Sequence, residues 1–191
     1  MPKNNTILSS IVTEVSGFTE VVSLDDIKDA CRISPANTTE DAYLNQIRVS
    51  ARQAAEFFTG QAFVKKTVTV LLRNECGGIF LPHQPIDVST VVITVNGVAD
   101  TTSDKYGLTA LDGQAQLMTA TCDILTVTYS CGYTTTGINA AFENVPMGVN
   151  DGIKAEAAYR WANRATQVFT PGSLCIEARN YLTPYCTRSL F

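Results

Sequence analysis

The residues that could carry chemistry are few. The chain holds one histidine, His83, and six cysteines, at positions 31, 76, 122, 131, 175 and 186. A nucleophilic site would pair a cysteine with that histidine, so Cys131 and His83 are the candidates for an enzyme reading. His83 lies between two prolines in LPHQPI, and no carboxylate or nucleophile flanks it in sequence. That placement reads as a turn residue. No cysteine stands in a CxxC or CxxH pair, the close ligand spacing that zinc sites use. The parity of six leaves disulfides open, while a chain without a secretory leader favours reduced, buried thiols.

The carboxylate pairs Asp25–Asp26 and Glu40–Asp41 each stand at the start of a helical pattern. Anions are favoured there by the helix dipole, so capping outweighs catalysis. Asp100, Asp104 and Asp112 are too widely spaced for a calcium loop. Arg48 and Arg52 are four apart, as are Arg160 and Arg164. Each pair could hold an anion, but a solvated or ion-paired helix face is the simpler expectation. The sequence lacks GxSxG, HExxH, GxxxxGK[ST] and GxGxxG. No cofactor, metal or catalytic residue is expected.

The elements that would position these residues follow from periodicity. Over positions 40–59, Leu44, Ile47, Ala51, Ala54 and Phe58 recur at spacings of three and four, which predicts a long helix. Arg48, Arg52, Gln53 and Glu56 fall mostly on its other side. Thr38 or Thr39 offers the N-cap, and Gly60 the C-terminal stop. Ser23 followed by Leu24-Asp25-Asp26 predicts a capping box that opens a short helix over 24–33. The two form a helical hairpin. A third helix is expected over 146–166, starting at Pro146 or Asn150. Along it Val149, Ile153, Ala157 and Trp161 line up at spacings of four. Gly148 and Gly152 weaken its first turns by about 1 kcal/mol each relative to Ala.

Between the helices the period falls to two. Strands are expected over 63–72, 88–95 and 124–129, with turns at 74–78, Asn96-Gly97 and Leu111–Gln114 and a long loop over 130–145. Residues 1–22 read as an N-terminal arm or short strands, 23–167 as the core domain and 168–191 as a docking tail. Leu174, Ile176, Tyr181, Leu182, Tyr185, Leu190 and Phe191 make that tail too apolar to stay in solvent. The fold class is α+β: a helical hairpin plus a C-terminal-side helix packed with a small antiparallel sheet, with extended N- and C-terminal arms.

Composition narrows the partners. Hydrophobic content is 45%, charged content 17% and net charge −4. No basic run exists for gripping nucleic acid, and no apolar run is long enough for a membrane span. Low charge leaves neutral surface of the kind that assemblies bury. The segment MPKNNTILSS does not read as a secretory signal.

Four stretches together resemble one family. They are SLDDIKDACRIS, EDAYLNQIRVSARQAAEFFTGQAF, IFLPHQPIDVSTVVI, and LTVTYSCGYTTTG followed by NVPMGVNDGIKAEAAYRWANR, spanning roughly 23–165. Their order and spacing resemble the head–tail connector (adaptor, or head-completion) proteins of tailed bacteriophages. The resemblance implies a non-enzymatic virion protein at the neck, assembled in the host cytoplasm. It implies a homo-oligomeric ring, commonly of twelve copies in the virion, beneath the portal protein, with a monomer in isolation, templated by the portal, as the alternative. Such a ring extends the DNA channel without gripping the DNA and offers a docking surface to a tail or stopper protein. A tail-completion protein is the nearest alternative. On this reading Ala157, Ala158, Trp161, Ala162, Ala165, Arg48 and Arg52 are candidate subunit contacts. The apolar residues of the tail are candidate contacts to portal or partner.

Overall fold

The computed structural model describes residues 6–16, 18–73, 77–95, 98–99, 106–111, 114–119, 124–133, 145–165 and 172–187. The chain forms two compact units, each assembled from two stretches of sequence: Met1–Phe18 with Val64–Glu143, and Thr19–Phe63 with Asn144–Phe191. The first unit carries the strands and the second the helices, so strand and helix are segregated as the α+β expectation requires.

The strand unit holds β1 (Thr6–Glu14), β2 (Lys66–Arg73), β3 (Gly77–Phe80), β4 (Ile86–Val95), β5 (Val98–Ala99), β6 (Tyr106–Leu111), β7 (Gln114–Thr119) and β8 (Ile124–Cys131). A five-stranded sheet runs β1-β2-β8-β4-β5 and a three-stranded sheet runs β3-β7-β6. Every pairing is antiparallel. Strict alternation on the two central strands explains the core. Val68, Val70 and Leu72 of β2 and Leu125, Val127 and Tyr129 of β8 are buried on one face, as a period of two dictates. On the other face Thr69 and Thr128 share a hydrogen bond of 3.1 Å across the ladder.

β4 begins at Ile86, two residues before its expected start, and contains a bulge. Its register on β8 jumps from Asp87↔Ser130 to Val92↔Thr128. Asp87 drives this locally, since its Oδ1 accepts from both N (3.0 Å) and Oγ (2.6 Å) of Ser89. Thr90 Oγ1 then takes the place of a ladder carbonyl, accepting from Ser130 N at 2.8 Å. Such side-chain competition for backbone groups is what Asp, Ser and Thr do in strands. Asn96-Gly97 lies outside the described residues, but Val95 pairs with Val98 across it. Leu111 likewise pairs with Gln114 across the second expected turn. The strands β3, β6 and β7 were not expected from the sequence. The long loop read over 130–145 begins instead as the end of β8, and 134–144 lie outside the described residues.

The helical unit holds α1 (Leu24–Ala30), α2 (Asp41–Thr59), α3 (Met147–Ala162) and α4 (Ile176–Leu182), followed by a 3₁₀ turn at Thr183–Tyr185. The capping box of α1 forms as read: Asp26 N donates to Ser23 Oγ at 3.0 Å and Ser23 N to Asp26 Oδ2 at 3.3 Å. Gly60 ends α2 in the left-handed region at φ 70°. The N-cap of α2 differs from expectation. Asn37 Oδ1 accepts from Thr39 Oγ1 at 2.6 Å and Thr39 N at 3.1 Å, so that hydroxyl is spent on a turn and Glu40 becomes the cap residue. Asp41 meets Lys28 Nζ at 2.7 Å, tying α1 to α2. α3 starts after Pro146 and stops at Ala162, before the expected 166. Asn163 is the C-cap residue, and both its backbone N (3.1 Å) and its Nδ2 (2.8 Å) donate to Tyr159 O.

Candidate functional site

The two long helices each carry one buried arginine–glutamate pair at a spacing of four. On α2, Arg52 Nη1 donates to Glu56 Oε2 at 2.8 Å and Arg52 Nε to Glu20 Oε2 at 3.0 Å. Glu56 Oε1 accepts from Phe63 N at 2.8 Å. On α3, Arg160 Nε donates to Glu156 Oε1 at 2.7 Å, and the guanidinium reaches Ser50 Oγ (2.9 Å) and Ser173 O (3.2 Å). Glu156 Oε2 accepts from Cys175 N at 2.7 Å. Both pairs do the same work: each fixes irregular chain to a helix. The first holds the approach to α1 and the exit from α2; the second holds α3, α2 and the segment entering α4. The expectation that Arg52 and Glu56 lie on the polar side of α2 is overturned, for both are buried. Buried charge is tolerable here because each is paired and hydrogen-bonded.

The C-terminal segment is then seated on glycines. A Cβ on Gly152 would lie 2.8 Å from Leu182 Cγ, and one on Gly148 would lie 2.8 Å from the Tyr185 hydroxyl. The glycines that weaken α3 locally are the seats for α4 and the turn after it. Beyond them, Thr187 N and Oγ1 both donate to Thr59 O (2.8 and 2.9 Å), and Gln61 Nε2 donates to Tyr185 O at 2.7 Å. A distant strand of chain thus satisfies a carbonyl at the end of α2 that the helix cannot satisfy itself. Gly152→Ala is expected to destabilise the protein by about 1–3 kcal/mol through overpacking, although in an exposed helix the same change gains up to about 1 kcal/mol. Urea denaturation followed by circular dichroism checks the sign, and Leu182→Ala in the same chain should relieve the penalty.

These anchors decide where the candidate contact residues fall. Arg52 and Ala157 are buried inside the helical unit, and Arg48 is half-buried with Nη1 donating to Val22 O at 3.3 Å. Ala158 is half-buried, while Ala162 and Ala165 are exposed. Trp161 forms a small platform: Tyr43 stands 6.0 Å away at a tilt of 47°, and the Arg164 guanidinium stacks 3.9 Å over the indole. In the tail, Leu182 is buried in the protein's own helical unit, whereas Ile176 and Tyr181 are 78% and 48% exposed. Leu174 and Tyr185 are half-buried, and Leu190 and Phe191 lie outside the described residues. Tyr181, Asp26, Asp29, Asp151 and Glu177 line an open groove of about 730 Å³, with Lys154 as its cation. The hydrogen bond that Lys154 Nζ donates to Asp151 Oδ1, at 2.7 Å, raises the ammonium above its ordinary range.

The residues of the enzyme reading have unpromising settings. Cys131 is 2% exposed at the end of β8. His83 sits in the left-handed region at φ 60°. Tyr129 is buried with its hydroxyl donating to Pro82 O at 2.8 Å, and burial, helped by Cys131, pushes its phenol up. No group of three metal-ligating side chains occurs among the described residues. Cys31, Cys131, Cys175 and Cys186 are not disulfide-bonded; Cys76 and Cys122 lie outside the described residues. Burial raises Cys31 to about 11, so its nucleophilic thiolate is scarce at neutral pH. Alkylation of Cys31 at pH 8 is expected to run about a hundredfold below that of an exposed cysteine and to climb until pH approaches its raised pKa. Peptide-resolved mass spectrometry after an iodoacetamide pulse reads that profile.

No protein-family model and no curated protein matches the chain. Solved structures do share its fold. A chain in the neck of an empty GTA particle, computed with C6 symmetry, aligns with a TM-score of 0.69 at 15% identity, covering 95% of this chain and 97% of that one. A chain in the virion of a native gene transfer agent (GTA) particle gives 0.69 at 13% identity with the same coverage. A third, from the neck of the native GTA particle computed with C12 symmetry, gives 0.63 at 14% identity, again with the same coverage. The fold is that of these particle chains.

Proposed function

We propose that this protein is a head–tail adaptor: a structural subunit of the neck of a tailed-phage-like particle. Copies form a ring beneath the portal, extend the DNA channel and present a surface to the tail or a stopper protein. One observation carries the reading. The fold matches chains of GTA necks over nearly the whole length of both partners, and one of those necks was computed with twelvefold symmetry. The sequence stretches that resemble phage connectors span the same elements, which supports the reading independently.

The physical character of the chain fits the role. Its net charge of −4 disfavours a grip on DNA, which transport through a channel must avoid. Its tail is fixed as far as Thr187, leaving Ile176 and Tyr181 outward as contacts for a portal or partner. Trp161, Arg164 and Tyr43 have the composition of interface anchors. Deleting the gene tests the role. Heads that fill or leak DNA without acquiring tails, beside free tails, are expected. Intact tailed particles in normal numbers would overturn the proposal. Tails of aberrant structure on normal heads would point to a tail-completion protein instead.

A further inference from the structure

One solvent-facing side of α3 carries opposite charge at its two ends. Toward its start, Asp151, Lys154, Ala155 and Ala158 form one wall of the open groove, and α1 and α4 supply the others. Asp26, Asp29, Asp151 and Glu177 set four carboxylates there against the ammonium of Lys154, and Ala30 and Tyr181 add apolar surface. Lys154 is engaged by Asp151 at 2.7 Å, and Asp26 by the capping box with Ser23. Asp29 and Glu177 are exposed and have no hydrogen-bond or ion-pair partner among the described residues. The groove is thus complementary to a cation that its own walls do not supply.

The other end of α3 presents such a cation. Trp161 follows Ala158 at a spacing of three, so it continues the same side of the helix. Arg164 Nη1 donates to Trp161 O at 3.0 Å, and its guanidinium lies 3.9 Å over the indole. A positive charge is thereby fixed on an aromatic plate while Arg164 stays exposed. Arg32 and Arg179, the other exposed arginines of the helical unit among the described residues, are held by no such contact. A side chain already held in place loses little freedom on docking, and Arg and Trp are the residues that interface centres favour. Asp151 and Trp161 stand about 15 Å apart along α3, so one copy can receive a neighbour at one end and reach another from the other. Two different patches of this kind are what a head-to-tail contact that closes a ring requires. We infer that the Trp161–Arg164 end of α3 in one copy seats in the groove of the next copy, where Arg164 meets Asp29 and Glu177. The inference rests on the ring reading above and names its subunit contact.

Charge reversal on the full-length chain tests the contact. One variant is Arg164→Glu; the other combines Asp29→Lys with Glu177→Lys. All three positions are exposed, and circular dichroism checks that both variants keep the wild-type fold. Either variant, supplied alone in place of the wild-type gene, should cut the yield of tailed particles about tenfold or more, because each puts like charges into the contact. The two variants supplied together should restore the yield, since a ring that alternates them has opposite charges at every contact. Normal yield with either variant alone would overturn the contact and leave the ring reading standing. Loss with each alone and no recovery together would overturn it in favour of a basic segment of another protein in the groove. A closed two-copy species of the wild type in sedimentation, dispersed by either variant, would overturn the head-to-tail sense in favour of antiparallel pairing. Wild-type particles whose necks hold no ring of this chain would overturn the ring reading, and the contact with it.

Discussion

Replacing Glu156 by alanine should lower stability by about 3–5 kcal/mol, because it strands Arg160 as a buried charge. Glu156 is 1% exposed and Arg160 6%, so neither can recover much hydration by a small shift. Loss of the carboxylate also orphans Cys175 N, which donates to it at 2.7 Å. The segment leading into α4 is therefore released along with the charge. The expected result has two parts: a large fall in the urea midpoint, and faster hydrogen exchange at Ala178 and Arg179. A double replacement, Glu156→Met with Arg160→Met, should recover most of the stability, since it removes both charges and keeps the volume. It should not restore slow exchange at Cys175. If the single variant costs less than about 1 kcal/mol, the pair is more hydrated than its burial implies, as exposed ion pairs are.

Gly132→Ala is expected to be the most damaging small change in the strand unit, at about 3 kcal/mol or more. Gly132 has φ +99°, and a Cβ there would run into the backbone carbonyl of Val64 and sit 3.2 Å from Lys65 Cα. A main-chain neighbour cannot rotate away as a side chain can. The same residue donates its N–H to Pro85 O at 2.9 Å, so a shift that relieves the clash breaks a hydrogen bond. Denaturant titration of the variant, or its failure to accumulate in soluble form, checks the expectation. A midpoint within experimental error of wild type would contradict the close approach.

The sequence made parts of this legible for definite reasons. α2 was readable because Leu44, Ile47, Ala51 and Ala54 sit on one stripe and all four are buried. The capping box was readable because Ser23 and Asp26, three apart in sequence, bond each other. β2 and β8 were readable because their alternation is unbroken. Arg52, Glu56, Glu156 and Arg160 were misplaced or unplaced because an i,i+4 ion pair looks the same on a solvated face as on a covered one. What covers it comes from Glu20 and Ser173, remote in sequence. Gly148 and Gly152 read as weaknesses of α3. Their spacing of four, beside a tail rich in Leu and Tyr, was the available sign that something packs there. β6 and β7 were missed because QAQLMT alternates too weakly to separate from loop, and α4 because seven residues give a periodicity no length. Ala157 was a candidate contact because small residues allow close approach; the close approach is to the protein's own helices.

Direct localisation tests the central claim. Particles carrying this protein with a C-terminal tag should be imaged by cryo-electron microscopy, with the tag labelled and the head–tail junction reconstructed with and without imposed symmetry. The account predicts label at the neck alone, and a ring of density into which this fold fits between portal and tail. Label spread over the capsid or along the tail, or a neck whose density excludes this fold, would contradict it.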